Sequence, residues 1–301
     1  VTTAALAGAA TQAPDAGLDI TEPGIYPDLP MDAYHADPVP GGSLSSTGAR
    51  RLLPPGCPAL YHHERQHGRQ PRNTFDYGTA AHRLVLGDGP TIHVVEADNW
   101  RTTAAREDRE DARAMGRVPL LRHEYEQVTA MADALRAHPV ASVLFDPIRG
   151  GAPEQALFWR DPPTGVMRRA LLDWLPQSGP GRMVVPDYKT AASAEPEAIR
   201  RTVDTYGYHQ QAAWNSAGVK ALGLAEDVAF VFVVQEKTPP YLVTVVQLDA
   251  MAMRIGAARN RRALQIYAEC TATGRWPGYT DAIEHLSLPP YAENRDSEEY
   301  L

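Results

Sequence analysis

The chain has 301 residues, 44% hydrophobic and 22% charged, and its 37 acidic against 29 basic side chains leave a net charge of −8. That composition supports one large folded domain or two small ones and excludes collagen-like, coiled-coil and wholly disordered chains. It also argues against a globally basic nucleic-acid binder, while leaving room for a local basic groove.

Residues 1–16 are rich in Ala and Thr and lack the basic start and long apolar segment of a secretory signal, so 1–22 is expected to be a flexible tail. Between 23 and 42 the density of Pro, Gly, Asp and Tyr favours turns and extended chain. Ser45 or Ser46 can cap a short helix reaching Leu53, which Pro54-Pro55-Gly56 must end, and Pro58 suits the first turn of another. Over 73–86, Phe75, Gly78, His82 and Val85 recur at three- and four-residue spacings, the period of a helix that Gly87-Asp88-Gly89 closes; 92–95 reads as a short strand. Residues 102–117 alternate Arg with Asp and Glu, an exposed helix or arch containing Arg106 and Arg109, with Arg101 beside it. The helical region continues through 119–138 with Leu120, Tyr125, Val128, Met131 and Leu135.

After Gly150-Gly151 the pattern changes. Apolar runs at 155–159, 167–175 and 183–188, separated by turn sequences at 161–165 and 178–181, predict a three-strand meander. A helical period over 195–222, strands at 228–234 and 241–248, and a helix from an Asp249 cap to Thr271, ended by Gly274, complete the order. The expected fold class is α/β (α+β): a mixed central sheet flanked by helices. It has a helical N-terminal portion at 43–138, a sheet core at 152–248, a C-terminal helix at 249–273 and a solvated acidic tail at 293–301. Trp276, Tyr279 and Tyr291 are expected to close a core or an interface, base stacking being the other role open to them. No internal repeat, P-loop or Gly-x-Gly-x-x-Gly fingerprint occurs.

Cys57 and Cys270 are too few for a disulfide framework, a four-cysteine zinc site or an iron–sulfur cluster, so a reducing cytoplasm is the simplest setting. No run approaches the roughly 18–20 apolar residues of a membrane span. Lys occurs only at 189, 220 and 237, so a Lys in a chemically suggestive place is less readily generic surface charge.

One such place is Asp187-Tyr188-Lys189. Alternation on a strand puts the Asp187 carboxylate and the Lys189 ammonium on one face, although a surface ion pair would give the same pattern. The preceding strand carries Asp173 between Leu172 and Trp174, where a carboxylate costs several kcal/mol to bury unless it is paired, hydrogen-bonded or metal-bound. The turn between the strands permits Asp173 and Asp187 to lie close without requiring it. Two carboxylates converging with a histidine make a hard-cation site for Mg²⁺ or Mn²⁺. His82 is preferred to His93 because its segment is helical, whereas His93 lies in an alternating strand.

The order Gly78…His82, Glu154, Asp173, Asp187-x-Lys189, Gln211 resembles the PD-(D/E)xK nuclease superfamily, specifically its RecB-like branch. Within that branch the likeness is to phage and prophage exonucleases similar to the RecE nuclease domain (exodeoxyribonuclease VIII). Gly24-Ile25-Tyr26, Cys57-Pro58, Val185-Pro186-Asp187-Tyr188-Lys189-Thr190, Tyr208-His209-Gln210-Gln211-Ala212-Ala213 and Val234-Gln235-Glu236-Lys237 extend it from about Gly24 to Tyr291. The resemblance implies a restriction-endonuclease-like sheet in a single nuclease domain over 23–292. It implies that His82, Asp173 and Asp187, with the backbone carbonyl of Tyr188, bind catalytic Mg²⁺ or Mn²⁺, and that Lys189 orients or helps deprotonate the attacking water. Glu154 matches the family's additional acid and Gln211 its contact to DNA, with Arg168, Arg169 and Tyr208 as further candidates for DNA contact. Family members often show Gln-x-x-x-Tyr; here Asn215 stands in the tyrosine's place.

The implied activity is exonucleolytic hydrolysis of linear duplex DNA from its ends, in recombination or phage DNA processing. The implied partners are DNA, a single-strand annealing protein and further copies of the chain in a ring, with no membrane. The alternatives are an endonuclease or single-strand nuclease of the same superfamily, and a catalytically silent module binding DNA ends or a recombination partner.

Overall fold

The computed structural model describes residues 19–67, 73–87 and 89–301, with backbone only for 73–76. Most of the expected tail, the Phe75 side chain and Asp88 therefore lie outside the described residues. The chain begins with β1 (Gly24–Tyr26), α1 (Met31–Ala36), β2 (Leu44–Ser45), α2 (Ser46–Arg51), α3 (Pro58–His67) and α4 (Asn73–Leu86). There follow β3 (Ile92–Val95), α5 (Thr103–Ala114), β4 (Val118–Leu121), α6 (Arg122–Ala137) and α7 (Ala141–Leu144). The second half is β5 (Ala152–Arg160), β6 (Met167–Leu175), β7 (Met183–Ala191), α8 (Pro196–Tyr206), α9 (Tyr208–Ala221), β8 (Val228–Glu236), β9 (Val243–Gln247), α10 (Ala250–Thr273) and α11 (Pro290–Tyr300).

Local chemistry sets many of these boundaries. The Ser45 hydroxyl accepts from the Gly48 amide at 3.2 Å, and the Asp249 carboxylate accepts from Ala252 at 2.7 Å, so both side chains cap the helices they precede. Gly274, at φ +70°, ends α10 in the left-handed conformation. The helix expected over 119–138 starts later: Val118–Leu121 pairs in parallel with β3, and α6 begins where Glu124 reaches back to the Leu121 amide at 2.8 Å. The long period over 195–222 is likewise two helices, broken at Gly207 (φ +66°). The segment at 23–42, expected to lack regular elements, holds β1 and α1.

The strands form a four-stranded sheet in the order β1-β5-β6-β2, a three-stranded sheet β7-β8-β9, and the β3-β4 pair. The expected meander therefore stops after two strands: β5 and β6 are antiparallel neighbours, but β7 pairs in parallel with β8. The physical reason lies in the ladder itself. The Tyr188 amide donates to the Asp173 carboxylate at 2.6 Å, so a side chain from β6 takes a backbone donor of β7. The two sheets meet at a fork instead of a continuous ladder.

Two apolar clusters fix that fork. One, on the side of α9 and α10, contains Leu157, Trp159, Leu172, Val185, Trp214, Phe232 and Leu264. The other packs α4 and α6 on β7 and β8 through Ala80, Ala81, Val128, Met131, Tyr188 and Val233. Helices α9 and α10 approach so closely that a Cβ on Gly256 would lie 2.0 Å from the His209 carbonyl oxygen. The same contact is tied by Asn260, which donates to the Gln210 carbonyl at 2.9 Å. No helix among the described residues is long and apolar enough to cross a membrane.

Candidate active site

Alternation along β7 sorts three consecutive residues to two sides. Tyr188 is fully buried, and its hydroxyl donates to Gln235 at 2.7 Å; Gln235 in turn donates to the Met131 carbonyl at 2.8 Å. This buried chain of hydrogen bonds anchors β7, and burial drives the Tyr188 phenol well above its ordinary pKa. On the other side Lys189 ion-pairs with one Asp187 oxygen while Gln211 of α9 donates to the other at 2.8 Å. The Asp187 side chain is 1% exposed and that of Lys189 22%.

Asp173 and His82 complete the group. The His82 Nδ1 lies 3.8 Å from an Asp173 oxygen, with its ring 5.2 Å from that of Tyr188 in an edge-to-face arrangement. Helix α4 can bring the imidazole this close because its inner face is small: Ala80 and Ala81 are buried against the second cluster. Desolvation pushes the Asp187 carboxyl up to about 6, opposed by Lys189, and raises Asp173 for the same reason. Burial, reinforced by the Lys189 charge, pushes His82 down to about 4, so its imidazole is neutral with a lone pair to offer.

His82, Asp173 and Lys189 border an open cleft of about 870 Å³, lined also by Gly78, Glu154 and Thr190 among others, while Asp187 lies buried behind Lys189. Glu154 lies within β5, not just ahead of it. The register between Pro153↔Trp174 and Gln155↔Leu172 sets it directly across from Asp173. It has a left-handed backbone (φ +47°), costly for a non-glycine residue, which interrupts the ladder at the cleft. Sequence reasoning missed a further part of the wall: Asp28, Leu29 and Pro30 from the segment joining β1 to α1, with Met31 and His35 of α1. That segment has no periodicity to reveal it; its Pro and Asp content signalled only a turn.

The other candidates are placed differently. Gln211 serves Asp187 directly. Tyr208 stacks on Phe232 with centroids 4.9 Å apart, while the Lys189 ammonium lies 5.7 Å from its ring centre. Arg169 is not brought to the cleft; it pairs with Asp37 at 2.7 Å and with the Ser43 hydroxyl at 2.6 Å. Arg168 is buried between Trp159 and Trp214. Arg169 answers to an acid more than a hundred residues away and Arg168 to the remote Trp214 as well as to Asp161 across the β5–β6 turn, contacts that a local pattern does not show. His93 pairs with Asp108 at 2.8 Å. Asn215 is buried on α9. His63-Glu64-Arg65-Gln66-His67 on α3 has the spacing of a helical zinc-protease motif, but Glu64 is paired with Arg51 and among the described residues no third His, Cys, Asp or Glu joins the two histidines as a ligand.

Whether the cleft suits a metal ion turns on charge and donor type. Among the described residues no three His, Cys, Asp or Glu side chains stand preassembled as a metal cage, since Asp187 is turned towards Lys189 and Gln211. With both carboxylates ionised, however, two anions share one ammonium beside a neutral imidazole, leaving a surplus negative charge where desolvation makes it costly. Carboxylate oxygens with a neutral imidazole nitrogen suit Mg²⁺ or Mn²⁺. The residues present fit such an ion.

An acid on one strand and an acid-x-lysine on the next meet where the two sheets fork, the arrangement that the sequence resemblance implies. Residues 47–289 match the family model of the PDDEXK-like domain of unknown function (DUF3799); the chain belongs to that family, and with it to the PD-(D/E)xK superfamily. No curated protein matches it. A crystal structure from Eubacterium rectale, of a protein described as a "Putative exonuclease", is similar with a TM-score of 0.59 at 10% identity, covering 89% of this chain and 98% of that one. At that identity the likeness is one of fold.

Proposed function

We propose that this chain is a Mg²⁺- or Mn²⁺-dependent exodeoxyribonuclease that hydrolyses phosphodiester bonds of linear duplex DNA from its ends. The observation that carries the reading is the convergence of His82, Asp173 and Lys189, from α4, β6 and β7, on one open cleft, with the Asp187 carboxylate buried directly behind Lys189. The description of the similar Eubacterium rectale protein supports the exonuclease reading.

In this proposal His82, Asp173, Asp187 and the Tyr188 carbonyl hold the divalent ion, which supplies positive charge to the attacked phosphate and acidifies water. Lys189, kept as an ammonium by Asp187 and Asp173, orients the attacking water through its N–H donors and stabilises the hydroxide as the proton passes to solvent in the open cleft, while Asp187 and Gln211 hold that region in place. Glu154 adds acceptor oxygens across from Asp173. The RecE-like resemblance extends the proposal to a cytoplasmic, ring-forming enzyme of recombination or phage DNA processing with a single-strand annealing partner.

The test uses end-labelled linear and covalently closed circular DNA, each with Mg²⁺ or EDTA, beside an Asp173→Asn variant. Mg²⁺-dependent shortening of linear DNA alone, absent in the variant, is the expected result. Cutting of circles would replace the proposal with an endonuclease, and binding without cleavage would replace it with a silent DNA-end module.

A further inference from the structure

Beyond α10, among the described residues, the chain is tied to the body at its start. The Ala59 amide donates to the Pro277 carbonyl at 3.0 Å, and Trp276 stacks on His62 with centroids 4.6 Å apart. From there Tyr279, Ile283, Leu286, Leu288 and Tyr291 stand in solvent at 74%, 89%, 89%, 58% and 74% exposure, and α11 buries no residue. Single exposed apolar side chains are ordinary, but five within thirteen residues mark a surface made for contact. The segment is also acidic: 278–301 holds Asp281, Glu284, Glu293, Asp296, Glu298 and Glu299 against Arg295.

The complementary surface lies on α10. Met251, Arg254, Ile255, Ala258, Arg261 and Arg262 recur at helical spacing along one face, all exposed, with no acid anywhere in 250–262. Met251 is 56% and Ile255 48% exposed. A helix face interleaving arginines with bare apolar side chains matches an arm interleaving acids with Ile, Leu and Tyr in both charge and hydrophobicity.

We propose that residues 278–301 form an exchange arm that docks on the exposed face of α10 in a second copy of this chain. Each copy carries both an arm and a receiving face, so the contact can be exchanged reciprocally in a pair or passed head to tail around a ring. DNA is the rival occupant of the arginines. It would leave Met251 and Ile255 without a counterpart, whereas the arm supplies one. This inference does not depend on the catalytic reading.

The test is light scattering of the full chain at micromolar concentration. Wild type is expected to assemble. Ile283→Glu/Leu286→Glu, and separately Arg254→Glu/Arg261→Glu, are expected to be monomeric, with dissociation constants raised about a hundredfold or more. All four positions are exposed, so circular dichroism should show an unchanged fold. Adding Asp281→Arg/Glu284→Arg to the Arg254→Glu/Arg261→Glu chain is expected to restore assembly. A monomeric wild type, an assembly indifferent to the arm variant, or failure of the charge swap would overturn the proposal. So would loss of DNA binding in Arg254→Glu/Arg261→Glu with the assembly unchanged, which would make that face a nucleic-acid surface.

Discussion

Lys189→Met is expected to lower DNA hydrolysis by about 10²–10⁴ and to destabilise the metal-free protein. Both effects follow from one ion pair. The Asp187 side chain is 1% exposed, and removing the ammonium leaves one of its oxygens buried without a cation. Breaking a buried pair by deleting one partner costs about 3–5 kcal/mol because the remaining charge is uncompensated. Asp187→Asn in the same chain should remove that charge and recover much of the stability while leaving activity lost. Denaturation midpoints of wild type, the two single variants and the double variant separate these contributions, and rate measurements on the same four proteins complete the cycle. A Lys189→Met protein within tenfold of wild-type rate would remove the lysine from the chemistry.

Trp214→Ala is expected to cost about 3–5 kcal/mol, enough to leave much of the chain unfolded at moderate temperature. Trp214 is fully buried; its indole donates to the Arg169 carbonyl at 3.0 Å and its ring lies 4.0 Å from the Arg168 guanidinium carbon. Trp159 covers the same guanidinium at 4.7 Å, and Asp161 lies 3.5 Å away. Burial pulls the Arg168 pKa down to about 10 despite Asp161. Arg168 therefore depends on the two indoles as well as on Asp161 for its stabilisation. Trp214→Phe keeps an aromatic face and should recover part of the loss, without the indole hydrogen bond. A Trp214→Ala midpoint close to wild type in urea would show that the guanidinium does not need the ring.

The sequence carries the secondary structure where periodicity and caps agree. The Ser45 and Asp249 caps, the bounds of β6 and the glycine end of α10 follow from side chains within a few residues of the boundary. Legibility fails where tertiary contacts decide. Val118–Leu121 fits a helical period as well as a strand, and only pairing with β3 chooses between them. At Tyr188 the backbone donor that could have extended the β5–β6 meander to β7 is taken by the Asp173 carboxylate, which no spacing rule records.

The same division applies to the site. Asp173 was conspicuous as an acid in an apolar strand, and Asp187 with Lys189 as an alternating pair. The left-handed backbone of Glu154 and the wall supplied by Asp28 and His35 left no pattern to read. Arg169 looked available because its acid, Asp37, is more than a hundred residues away in sequence.

The most direct test of the catalytic centre is anomalous diffraction from a crystal soaked in Mn²⁺. The account predicts a strong peak at the β6–β7 fork within coordinating distance of Asp173 and Asp187, with His82 and the Tyr188 carbonyl around it, and no such peak in Asp187→Asn. Manganese bound elsewhere, with the fork empty in the wild-type crystal, would contradict it.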